Sequence, residues 1–145
     1  MRKELDDKLC AKYPKIFANR GGSKMETCMY WGFACGDGWY GLIDHLCSNL
    51  QWNTDKNNRD GKYPQVVAAQ VKEKFGTLCF YVESASSEQH AVIRFAESLS
   101  AHVCEDCGTT KNMGRTSGWI RHLCRDCGEK NRNPWKSNKE NENDS

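Results

Sequence analysis

The segment from Cys104 to Cys127, CEDCGTTKNMGRTSGWIRHLCRDC, constrains this chain more than any other. It holds two Cys-x-x-Cys pairs, Cys104/Cys107 and Cys124/Cys127, with 16 residues between them. Each pair can aim two thiolates at one ion, and a hairpin can bring the second pair back to the first. Zinc suits such a set, because it takes four sulfur ligands tetrahedrally and has no redox chemistry of its own. A redox Cys-x-x-Cys is the weaker reading, since no βαβ pattern surrounds the pairs. Four cysteines leave no open coordination position, so the expected zinc ion is single and structural rather than catalytic. Gly108 and Gly128 each follow the second cysteine of a pair, where a knuckle turn favours a residue that tolerates positive φ. A unit this small has little core of its own, so metal binding is expected to supply its folding free energy.

The 145 residues suit one domain with a small appendage. No run approaches the ~18–20 apolar residues of a membrane span, and the start, MRKELDDKLC, is too charged for a secretory signal. A reducing cytoplasm and no membrane partner are the expectation. The nine cysteines then read as metal ligands and buried thiols rather than disulfides. Formal net charge is +2. Four thiolates and one zinc ion add −2, so the metallated chain lies near zero. Any grip on an anion must therefore come from a local cluster.

Three helices and two strands are expected ahead of the cysteine pairs. Leu5, Leu9 and Tyr13 recur every four residues over 2–13, and Pro14 ends that short helix. Asp37 is expected to cap a helix over about 38–51, whose apolar face carries Trp39, Leu42, Ile43, Leu46, Cys47 and Leu50. Residues 53–64 then read as a polar loop. Two strands, about 65–73 and 76–83, meet at Lys74-Phe75-Gly76, with Val67, Ala69 and Val71 alternating on the first. Ser86 and Gln89 form a capping box that opens a helix over 87–102, with a buried stripe of Val92, Phe95, Ala96, Leu99 and Val103. The expected fold is α+β: a small antiparallel sheet packed on two main helices over residues 1–103, with a four-cysteine zinc ribbon over 104–132. Residues 133–145, NPWKSNKENENDS, read as a disordered tail.

Within the ribbon, Lys111, Arg115 and Arg121 surround Trp119. Arginines interleaved with an aromatic can hold phosphates and stack on a base. The alternative is a solvated surface with Trp119 packed inward, and nearby Glu105, Asp106, Asp126 and Glu129 dilute the charge. A second candidate is Tyr30–Tyr40, where five aromatics stand among glycines and could line a pocket. Its alternative is an aromatic core corner with tight turns. His102 and His122 each precede a ligand cysteine by two residues and read as outer-sphere or exposed histidines. Cys28 and Cys35 read as free thiols, and Cys10, Cys47 and Cys79 as small core residues. No nucleophile elbow, P-loop or open metal site occurs.

The combination GDGWYGLIDHLC, QVKEKFGTLCFYV, a helix, and CEDCG…GWIRHLCRDC resembles small uncharacterised zinc-ribbon proteins of phages and prophages. That pattern spans about residues 26–128 and has a basic residue where this chain has Cys79. The resemblance implies a viral or prophage origin and a host bacterial cytoplasm. The expected function is a non-enzymatic binding protein that engages a phosphate-bearing ligand, nucleic acid or nucleotide, through Lys111, Arg115, Trp119 and Arg121. The alternatives are a counter-defence protein that sequesters a nucleotide immune signal or binds a host protein, and a protein–protein adaptor.

Overall fold

The structure is a computed structural model that describes residues 1–141. It is α+β, with two three-stranded sheets. The chain opens with α1 (Lys3–Lys12), which buries Leu9, and Tyr13 follows it into the core. A 3-10 turn over Cys28–Trp31 leads to β1 (Phe33–Ala34). After another 3-10 turn over Asp37–Trp39 comes α2 (Tyr40–Lys56). The hairpin β2 (Ala68–Lys74) and β3 (Thr77–Val82) follows, then α3 (Ser87–Ser100). The C-terminal part comprises β4 (Met113–Thr116), β5 (His122–Cys124), α4 (Arg125–Gly128), β6 (Trp135–Ser137) and α5 (Asn138–Asn141).

The first sheet has the order β1-β2-β3 and is mixed rather than purely antiparallel, because β1 joins β2 in parallel. α3 packs on β3 and α2 packs on α3, and with the segment after α1 they share one core around Ile16, Phe17, Phe33, Trp39, Ile43, Leu50, Val71 and Phe80. Phe17 meets Phe33 edge-on at 5.0 Å between ring centroids. The stripe predicted for α2 holds: Trp39, Ile43, Leu46, Cys47 and Leu50 are buried. Its borders differ. Asp37 caps neither helical segment, and instead takes the Arg2 backbone N–H at 2.8 Å. The helix also runs past residue 51, and its last turn is held by Asn and Thr side chains that hydrogen-bond one turn back.

Two faces were mis-phased. Val71 on β2 is buried as expected, but Val67 and Ala69 are only half-buried, and the buried residues before Val71 are Val66, ahead of the strand, and Ala68. An irregularity between Ala68 and Gln70 shifts the register and swaps the face in mid-strand. On α3, Phe95 and Leu99 are exposed, and the inward line is Gln89, Ile93, Ala96 and Ser100. The capping box of Ser86 and Gln89 forms as expected, and Gln89 also donates to the Pro64 carbonyl. The inward face carries polar residues because β3 is an edge strand whose outer N–H groups need acceptors. Ser100 Oγ accepts from Leu78 N at 2.8 Å, and Glu97 from Phe80 N at 2.8 Å.

The expected tail is also corrected. Residues 135–137 form β6, which pairs antiparallel with β4 and completes the order β5-β4-β6. Trp135 lies over the ring-sized space left by Gly114 and Gly128, where an added Cβ would stand 2.4 and 2.2 Å from its ring. Its indole N–H donates to the Leu123 carbonyl at 3.0 Å. The expected disorder over 142–145 lies outside the described residues. Among the described residues, no helix is long and apolar enough to cross a membrane.

Candidate metal centre and the surface beside it

Cys104 ends the approach from α3, and Cys107 lies in the turn that follows. That turn closes through Cys104 N to Thr109 O and Gly108 N to Cys104 O, both 2.8 Å. Gly108 has φ +80, as a knuckle there requires. The second pair is built differently. Cys124 ends β5 and Cys127 lies on α4, so Gly128 is helical, and its missing Cβ serves the Trp135 ring instead. The β4–β5 hairpin pairs Met113 with Cys124 and so returns the second pair to the first.

All four sulfurs lie within 4.8 Å of one another, and Cys107 and Cys124 stand 3.8 Å apart. Four sulfurs placed tetrahedrally around one ion at zinc–thiolate distance are about 3.8 Å apart, so this donor set fits. The four cysteines together are able to hold one metal ion. Burial would raise the Cys104 thiol, but backbone N–H groups of Cys124, Cys107 and Asp106 outweigh it and favour the thiolate. His102 is exposed, and His122 turns away to the Gly76 carbonyl at 2.8 Å, so neither joins the sulfurs.

The knuckle is tied to the rest of the fold through Glu105, which is 4% exposed. Its backbone carbonyl accepts from Gly38 N at 2.7 Å, and its carboxylate accepts from Gly36 N at 3.1 Å. A Cβ on Gly38 would stand 2.1 Å from the Cys104 carbonyl. The glycines of Tyr30–Tyr40 therefore admit the knuckle's own backbone. Trp39 is fully buried and donates to the Val103 carbonyl at 3.0 Å. The core-corner alternative describes Phe33 and Trp39, while Tyr30 and Trp31 are exposed.

The predicted ligand residues do not form one cluster. Arg121 binds Glu105 at 2.9 Å and Asp106 at 2.6 Å, and its side chain is only 22% exposed. Burial alone would lower its pKa, but the two carboxylates raise it. It is a tie inside the knuckle. Lys111 faces a separate cleft with Arg125 and Lys139. Arg115 lies near the end of β4 and Trp119 in the loop that follows, and Gly118 and Ile120 of that loop line both the Arg115 cleft and the Trp119 cleft. Buried Thr116 shapes that loop, since its Oγ1 donates to the Trp119 carbonyl at 2.7 Å and accepts from Arg121 N at 2.8 Å. Trp119 projects from it, 68% exposed.

Sequence reasoning missed the neighbours of this pair. Lys136 on β6 lies opposite Arg115 on β4. The β2–β3 turn brings Phe75, Lys72 and Lys74 to the other side of Trp119. A Cβ on Gly76 would stand 2.9 Å from Ile120, which shows how closely turn and loop abut. Phe75 was legible only as part of a charged turn, and Lys136 lay in a stretch with no apolar period. Comparison with known proteins finds no matching family model, curated protein or solved structure.

Proposed function

We propose that this is a non-enzymatic binding protein, fastened by one structural zinc ion, that engages a phosphate-bearing ligand where the C-terminal sheet meets the β2–β3 turn. The observation that carries the reading is Trp119, which stands in solvent on the loop whose Gly118 and Ile120 also line the cleft of Arg115 and Lys136. Neither cation has an ion-pair partner among the described residues. Exposed cations in a cleft adjoining that of an exposed ring suit a ligand with both phosphate and a flat base. Zinc is the metal favoured by four thiolates at tetrahedral spacing, and a closed set of this kind holds structure rather than substrate.

Two measurements test the reading. Freshly purified, reduced protein should contain about one zinc ion per chain. Replacing both Arg115 and Lys136 by alanine should abolish binding of a nucleotide or oligonucleotide probe and leave zinc content unchanged. Binding that survives in the double variant would place the ligand elsewhere.

A further inference from the structure

The surface around Trp119 has two adjoining clefts, and their chemistry differs. The first, about 270 Å³, lies between Phe75 and Trp119 and is flanked by Lys72 and Lys74. The second, about 330 Å³, is flanked by Arg115 and Lys136. Both are bounded by Gly118 and Ile120, so they share a wall. Glu73 is the one carboxylate in either lining, and it accepts the Gly76 N–H at 2.7 Å. None of the four cations is ion-paired among the described residues.

Phase and strain single out Phe75. It is 77% exposed, so its ring gains little from burial. Its φ is +52 and that of Gly76 is +83, the paired positive values of a tight two-residue hairpin. Asn or Asp is the usual first residue of such a turn, and a bulky side chain there is strained. A strained, exposed ring with no packing return points to function at the turn. Lys74 Nζ lies 5.8 Å from its centroid, which keeps positive charge beside the ring.

On the reading of this surface as a phosphate-ligand site, we infer that the ligand is a single-stranded nucleic acid, with bases stacked on Phe75 and Trp119 and the following phosphates on Arg115 and Lys136. A strand presents base faces and phosphates in alternation, which matches an aromatic cleft adjoining a cationic one. A mononucleotide fills only one of the two. A duplex hides its base faces, so two protruding rings gain nothing from it. The near-zero charge of the metallated chain also gives little of the diffuse attraction that duplex binding relies on.

The test compares a 12-nucleotide oligothymidylate, the matching duplex and thymidine monophosphate by fluorescence anisotropy and competition, using the full zinc-loaded chain. The oligonucleotide should bind at least tenfold more tightly than either alternative. Trp119→Ala and Phe75→Ala should each weaken it by roughly 5- to 150-fold, the span of one base–aromatic stack. With Lys72 and Lys74 also meeting phosphates, the logarithm of affinity should fall with that of salt at a slope of roughly −2 to −3, as for about four single-strand phosphates. Phe75→Asn separates function from folding, since it should stabilise the turn while weakening the oligonucleotide. Equal binding of duplex or monophosphate overturns the inference and leaves the phosphate-ligand reading standing, as does binding unmoved by both ring variants. No binding of any of the three probes overturns both.

Discussion

Glu105 and Arg121 show how one buried ion pair can join two parts of a chain. The carboxylate takes a backbone N–H from Gly36 and the guanidinium of Arg121, which also reaches Asp106. Removing the guanidinium strands a carboxylate that is almost wholly buried. Arg121→Ala should therefore cost about 2–4 kcal/mol of stability, measured by denaturant titration, whatever it does to ligand binding. A variant as stable as the parent would return Arg121 to the list of ligand residues. Asp44 gives a pH-dependent counterpart. Burial would raise its carboxyl, but hydrogen bonds from Lys12 and Tyr13 hold it below the ordinary value of 3.8. The folded chain thus binds fewer protons at this site than the unfolded chain. Its contribution is present above about pH 4 and disappears as the pH falls through the lower folded value. Asp44→Asn should be less stable than the parent at pH 7, and the gap should close on acidification. A gap that stays constant to pH 2.5 would refute this linkage.

At the scale of elements, α3 acts on β3 through hydrogen bonds as well as packing. An edge strand with free N–H groups is open to unwanted pairing, and here Ser100 and Glu97 occupy two of them. Ser100 Oγ also donates to the Glu97 carbonyl, so one hydroxyl serves both helix and sheet. Ser100→Ala leaves the buried Leu78 N–H without an acceptor and should cost about 1–3 kcal/mol. A thermal melt indistinguishable from the parent would show that the edge does not need this acceptor. This requirement also explains the rotated face of α3: polar groups that look outward-facing by hydropathy are the ones the edge strand calls inward. Trp135 illustrates the same point in the C-terminal sheet. A lone aromatic in a polar stretch closes a small core, because two distant glycines leave room for its ring.

The whole molecule is coupled through the cysteine knuckle. Glu105 holds Gly36 and Gly38, His122 holds Gly76, and Trp39 holds Val103. The second core by itself is small, built on Cys104, Leu123 and Cys124 with Met113, Cys127 and Trp135 against it. Metal removal should therefore unfold the C-terminal sheet and also loosen the first sheet's docking segment. Hydrogen exchange after chelation should show lost protection at Gly38, well outside the cysteine unit, with α2 retaining most of its own. Protection of Gly38 that is unchanged without metal would show the two parts to be independent. The proposed ligand surface depends on the same coupling, since Phe75 and Trp119 come from different sheets and meet only while both are docked.

Local pattern was enough for features whose physics is local. The metal set follows from two short cysteine turns, and the stripe of α2 follows from helical period along one continuous element. The capping box and the Gly76 turn likewise depend on neighbours in sequence. Long-range geometry governed the rest. A register shift reversed the face of β2, and an edge strand's unpaired amides drew polar residues of α3 inward. Arg121 looked like a free cation until folding placed Glu105 and Asp106 around it. Charge and period in a sequence report what a residue can do. Which partner it meets depends on segments 15 to 69 positions away, and those distances close only when the sheets dock.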